Sequence, residues 1–193
     1  MSPPEVWGPP IWTLFHTLIE KLNPNLYQLV IPSMFSIIKG ICRYLPCPDC
    51  SDHASKFLNK LNLNNYKTKN DFKNMLYLFH NLVNARKRKG LFNYTNIDKY
   101  SKLNINKVIH DFFKHYNTKG NLRLLTESFQ RNIIKQQFIK WYYHYAKAFV
   151  NIPLKPNEIK HEISEEVNNE VKDEPKKEVN NEVKDEPKII VHP

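Results

Sequence analysis

Two of the chain's 3 cysteines, Cys47 and Cys50, stand in C-x-x-C spacing within Leu45-Pro46-Cys47-Pro48-Asp49-Cys50-Ser51-Asp52-His53. Pro48 suits the first position of a helix, where its missing N–H is no loss and its fixed φ already matches. Cys47 is then the N-cap, and both sulfurs lie in the first turn, where the positive end of the helix dipole favours a thiolate. Such a pair can close a small ring and exchange with external dithiols. The same spacing also serves as half of a zinc site, which Cys47, Cys50 and His53 could begin. Cys42 is the only other cysteine, and no second C-x-x-C or H-x3-H follows.

Two further clusters carry polar chemistry on helical spacing. Trp12 and His16 are four apart, just after Trp7-Gly8-Pro9. His80-Asn81-Leu82-Val83-Asn84 sets His80 and Asn84 on one helix face with Asn81 beside them, and Arg86, Lys87, Arg88 and Lys89 follow within a turn. Amides and a ring suit a flat heterocycle, and cations suit phosphates. The same residues also read as a core Trp–His pair and as a helix C-terminus whose cations complement the dipole.

Composition narrows the choices. The 193 residues hold only 4 glycines, too scattered for a Rossmann fingerprint or a P-loop, so any nucleotide must be held by side chains on helices. No apolar run is long enough to span a bilayer, and Met1 to Trp7 lacks the features of a signal peptide. The expectation is a protein made in the cytoplasm with no membrane segment, where a redox C-x-x-C points to catalysis rather than a staple. Net charge is +10, divided unevenly: residues 1–154 carry +14 and residues 155–193 carry −4. A basic body could attract an anionic cofactor, an acidic partner or nucleic acid.

Helices must position these groups. Pro9-Pro10 opens the first, with Ile11, Leu14, Phe15, Leu18, Ile19 and Leu22 at three-to-four spacing, and Asn23-Pro24 ends it. A second runs from about Leu26 to Arg43, bent or delayed by Pro32, with Leu29, Val30, Met34, Phe35 and Ile38 in its apolar stripe. The third begins at Cys47. Asn70 or Asp71 caps a fourth, striped by Phe72, Met75, Leu76, Phe79, Leu82 and Val83 and ending near Gly90. A shorter helix spans about Ile105 to Tyr116. The fold class is all-α: a four-helix bundle with one additional short helix. Residues 1–118 form this bundle, residues 119–154 a helical extension packing on it through Phe129, Phe138, Trp141 and Tyr142, and residues 155–193 a disordered acidic tail. In that tail Glu166 to Lys176 recurs as Glu178 to Lys188, identical over eleven residues with a period of twelve and no aromatic residue.

Trp-Gly-Pro-x-x-Trp-x-x-x-His (Trp7 to His16), Pro-Cys-x-x-Cys-x-x-His (Pro46 to His53) and His-Asn-x-Val-Asn-x-Arg (His80 to Arg86) occur in this order. With these gaps, residues 5–100 resemble the Erv/ALR family of FAD-linked sulfhydryl oxidases. The form Leu-Pro-Cys-x-x-Cys-x-x-His-Ala (Leu45 to Ala54) looks most like the versions carried by large cytoplasmic DNA viruses, which implies host cytoplasm or virion as the setting.

The resemblance implies a homodimer with FAD at the bundle mouth beside Cys47 and Cys50. Trp12 and His16 would border the cofactor, His53 would lie near its adenosine portion with His80, Asn81 and Asn84 alongside, and Trp7, Gly8 and Val83 would also belong to the binding site. Arg86 and Lys89 would approach the pyrophosphate, and Tyr100, or else Tyr94, would stand near the adenine. A substrate dithiolate would attack Cys47, leaving Cys50 to pass electrons to FAD and thence to O2, giving hydrogen peroxide. The family usually carries a second, shuttling cysteine pair. This tail has no cysteine, so a dithiol protein substrate or a thioredoxin-like electron relay is the expected partner, with neither membrane nor nucleic acid. The rival readings are a basic helical module for nucleic acid or an acidic protein, and a zinc-stabilised adaptor built on Cys47, Cys50 and His53.

Overall fold

Six helices carry the described part of the molecule: α1 (Pro4–Lys21), α2 (Tyr27–Arg43), α3 (Pro48–Asn59), α4 (Lys69–Arg86), α5 (Ile105–Tyr116) and α6 (Leu125–Tyr145). The computed structural model describes residues 3–116 and 125–149. All of them belong to one compact unit, Met1–Leu154. The expected acidic repeat tail lies outside the described residues. Among those residues the only strand-like pairing is an isolated antiparallel bridge between Leu22 and Phe149, so the fold is all-α.

The apolar stripes explain the packing. α1 buries Ile11, Leu14, Phe15, Leu18 and Ile19 against α5 and α4, while α2 buries Val30, Met34, Phe35, Ile38 and Ile41 and is flanked by α3 and α6. Fully burying each such side chain is worth about 1.5–3 kcal/mol. Gly40 of α2 lets α6 come close: a Cβ there would meet Ile134 Cδ1 at 2.9 Å. Higher along α6, the Trp141 indole N–H donates to Ser33 Oγ at 2.9 Å.

Several helix boundaries differ from the sequence expectation. α1 begins at Pro4, not at Pro9-Pro10. The two internal prolines deprive the carbonyls of Glu5 and Val6 of helical partners, and both residues are exposed, so water can serve them. The cap of α4 is Thr68 rather than Asn70 or Asp71. Thr68 Oγ1 accepts the Asp71 N–H at 3.1 Å, and the Asp71 carboxylate accepts the Thr68 N–H at 2.9 Å, a reciprocal capping box. Burial separates Leu29 and Leu82 from their expected stripes, since they are 64% and 44% exposed. Phe129 of α6 likewise faces solvent. α4 ends at Arg86 rather than near Gly90, through a left-handed Arg88 (φ 53°) that turns the Lys89 N–H back to the Asn84 carbonyl at 2.9 Å.

Candidate active site

The first turn of α3 is built on sulfur. Cys47 is the N-cap in extended conformation, and its Sγ accepts the Cys50 N–H at 3.2 Å. Cys47 and Cys50 form a disulfide with Cα atoms 5.2 Å apart. This turn is pinned to the end of α2. Ser51 Oγ of α3 donates to the Arg43 carbonyl, and from the other side the Tyr116 hydroxyl of α5 donates to the Ile41 carbonyl at 3.0 Å.

Beside the disulfide lies a cavity of about 410 Å³, walled by α1, α3, α4 and the segment after α4. Cys50 lines it; Cys47 does not. One wall is a pile of flat rings. Trp12 and His80 lie face to face with centroids 4.2 Å apart and planes 7° from parallel. His80 stacks in turn near Phe92 at 4.7 Å, and His16 lies 5.0 Å from Tyr100. Offset stacking of this kind adds about 0.5–1.5 kcal/mol per pair beyond area burial. Four cations line the cavity as well, Arg86, Lys87, Lys89 and Lys99, the last with its Nζ 5.3 Å from the Tyr100 ring centroid.

Among the residues singled out in the sequence, Trp7, Gly8, Trp12, His53, His80, Val83, Asn84, Arg86, Lys89 and Tyr100 line this cavity. Two do not. His16 is fully buried behind the wall, with Nε2 3.1 Å from His80 Nδ1. Asn81 is spent on the backbone: its Nδ2 donates to the Phe92 carbonyl at 3.1 Å and its Oδ1 accepts the Phe92 N–H at 2.7 Å. Asn81 therefore holds the segment that carries Phe92 and does not itself face the space. Tyr100 is buried and lines the cavity, whereas Tyr94 is 41% exposed and donates to Asn74. Sequence reasoning missed Phe92 in the ring pile and Lys99 among the cations, because Phe92 lies outside any helix and Lys99 in a 3₁₀ turn, Asp98–Lys102, too short to show an amphipathic period. Cys42 is buried at the cavity floor, where desolvation drives its thiol pKa upward.

Electrostatics follow from burial and pairing. Desolvation, with His80 and two lysines adding to it, depresses the His16 pKa to about 3, and desolvation and Lys99 depress that of His80 to about 4. Both rings are neutral at pH 7. His53 is lowered too, chiefly by burial and then by Arg86. Arg86 also bridges to Asp49, between the two cysteines, at 2.7 and 2.8 Å and holds that carboxylate below its ordinary range. Lys89 pairs with Glu5 at 2.9 Å. No three His, Cys, Asp or Glu side chains are placed to hold a metal ion among the described residues, and the sulfurs are bonded to each other rather than open to zinc with His53.

A helical bundle with a C-x-x-C disulfide in the wall of a ring-lined, cationic cavity defines a dithiol–disulfide oxidoreductase equipped for a flat anionic cofactor. The family model for the Erv1/Alr family matches residues 9–102. A protein of African swine fever virus (isolate Tick/Malawi/Lil 20-1/1983), named FAD-linked sulfhydryl oxidase, is 32% identical over 103 residues, covering 51% of this chain and 84% of its own. Two others bear that enzyme name in provisional form. The fowlpox virus protein is 30% identical over 81 residues, 42% of this chain and 78% of its own. That of invertebrate iridescent virus 6 is 28% identical over 94 residues, 46% of this chain and 85% of its own. This chain belongs to the Erv1/Alr family. No solved structure matches it at comparable stringency.

Proposed function

We propose that this chain is an FAD-linked sulfhydryl oxidase that forms disulfide bonds in other proteins, with FAD in the cavity walled by Cys50. The observation that carries this reading is that Cys50, the Trp12–His80 stack and four cations share one cavity. The residues fit the cofactor. Parallel rings match a flat heterocycle, and Arg86, Lys87, Lys89 and Lys99 match a pyrophosphate. A Cβ at Gly8 would meet nothing within 4 Å, so the open space beside that backbone is left for a ligand. The volume lies inside the roughly 300–1,000 Å³ of cofactor clefts.

FAD, when bound, accepts an electron pair from a dithiol and delivers it to dioxygen, which leaves as hydrogen peroxide. The protein's own sulfurs collect that pair. A substrate thiolate attacks Cys47 Sγ, the bond to Cys50 breaks, and Cys50 departs as a thiolate at the cavity wall. The second substrate thiol, giving up its proton, attacks the mixed disulfide and releases Cys47, so the substrate is oxidised and the pair reduced by two electrons. The N-terminus of α3 sets a positive field around these thiolates, and Arg86 offsets the Asp49 carboxylate that stands between them in sequence. With only 3 cysteines and Cys42 buried, the chain has no second pair of its own, and the reading assigns the relay to a separate thioredoxin-like dithiol protein. It also takes the working form to be a homodimer acting in the cytoplasm or virion. No described helix is long and apolar enough to cross a membrane.

The test is a spectrum followed by a rate. Full-length protein refolded with FAD should turn yellow and consume oxygen when a dithiol is added, and Cys47→Ser should keep the colour and lose the uptake. Folded protein that stays colourless at saturating FAD would sink the reading.

A further inference from the structure

His16 and His80 pose a proton question that the cavity alone does not answer. Each ring is neutral and so carries one proton, on one of two nitrogens. The 3.1 Å contact joins His16 Nε2 to His80 Nδ1, so one of these atoms has the hydrogen and the other the lone pair. His16 Nδ1 is buried with no hydrogen-bond partner. His115 differs, its Nδ1 lying 2.8 Å from the Asp111 carbonyl four residues back.

Two arrangements are open. In the first, His80 Nδ1–H donates to His16 Nε2, and the lone His16 proton must sit on Nδ1, a buried N–H with no acceptor. In the second, His16 Nε2–H donates to His80 Nδ1, and His16 Nδ1 is a bare lone pair. Orphaned buried N–H groups are the rarer and costlier of the two defects. The second arrangement also puts both protons on Nε2, the intrinsically preferred tautomer of neutral histidine. Of the two rings only His80 lines the cavity, and with Nδ1 turned to His16 its Nε2 is the nitrogen available there.

We infer that His16 is a positioning residue: its Nε2–H holds His80 in the tautomer that offers the cavity an N–H donor rather than a lone pair. A buried ring behind the wall thus selects what the wall presents, a division of labour in which one nitrogen's bond fixes the other's role. The ligand this favours has an acceptor heteroatom in its flat portion. The inference rests on the FAD reading only for the identity of that ligand.

The experiment is a long-range ¹H–¹⁵N correlation on full-length labelled protein near neutral pH, without and with FAD, which separates protonated from bare ring nitrogens. The expected result is protonated Nε2 and bare Nδ1 in both His16 and His80. A protonated Nδ1 on His80 overturns the inference. His16→Phe keeps a ring in the pile but removes the donor. His80 should then become a mixture of tautomers and FAD affinity, by calorimetry, should fall about 3- to 10-fold. His16→Gln, whose amide can donate toward His80 Nδ1, should restore most of it. Unchanged His80 nitrogens and unchanged affinity in His16→Phe would also overturn the inference. Wild-type protein with the expected tautomers but no affinity for FAD would refute the cofactor instead and leave the histidine relation standing.

Discussion

The two ends of α4 contrast sharply. Its N-terminal half satisfies its own groups: Thr68 and Asp71 cap each other, and Lys73 reaches Glu20 of α1 at 2.7 Å, both side chains largely buried. Lys69 donates to the Glu20 carbonyl at 2.7 Å beside them. The C-terminal half turns Val83, Asn84, Arg86 and Lys87 toward open space and ends on a left-handed arginine. One end stabilises the bundle. The other sets polar groups and cations along the cavity, two of them, Arg86 and Lys89, held by surface carboxylates, and that lining marks the site.

That contrast can be broken most severely on the site side. Cys50→Ser should abolish thiol-dependent oxygen uptake, measured with an oxygen electrode, while melting temperature moves little, because the lost bond closes only a short loop. Gly8→Val should prevent FAD from binding, followed by flavin absorbance after desalting, in a protein whose far-UV circular dichroism is unchanged, since the new side chain would occupy the open space at the cavity wall.

Acid should expose the same asymmetry. The folded pKa values of His16 and His80, about 3 and about 4, lie below the ordinary value of 6.5, so the unfolded chain binds more protons between them. The stability these neutral rings contribute is fully present above pH 6.5 and declines as pH falls toward 4, by up to about 1.4 kcal/mol per pH unit for each histidine. Chemical denaturation from pH 7 to pH 4 should show this slope, and His16→Phe should flatten it. At the opposite end of α4, Thr68→Ala should cost about 1 kcal/mol with FAD affinity intact. Smallest is Arg88→Gly, which removes a positive-φ strain at the price of chain entropy and should raise stability by about 0.5 kcal/mol in a urea titration.

How much of this the residues disclose depends on whether a signal is local. Cys47 at the N-cap follows from Pro48 alone, and the cavity face of α4 follows from the spacing of His80, Val83 and Asn84. The Thr68 cap was legible as well, since Thr-x-x-Asp is a capping-box pattern, but nearby Asn70 and Asp71 competed for the role. Phe92 and Lys99 lie in a segment with no period to read, and only tertiary packing brings them to the rings. Asn81 shows the reverse error. Its place beside His80 suggested ligand contact, yet its amide is consumed by the Phe92 backbone. His16 shared a helix face with Trp12, and nothing local said that it lies one layer behind.

Cys42 gives the arrangement a final consequence. An oxidant that carries a spare thiol a few residues from its own reactive pair risks scrambling itself into a dead-end linkage. Sealed from solvent and held in its protonated form, that sulfur is a poor nucleophile, so the catalyst is shielded from the reaction it performs on others.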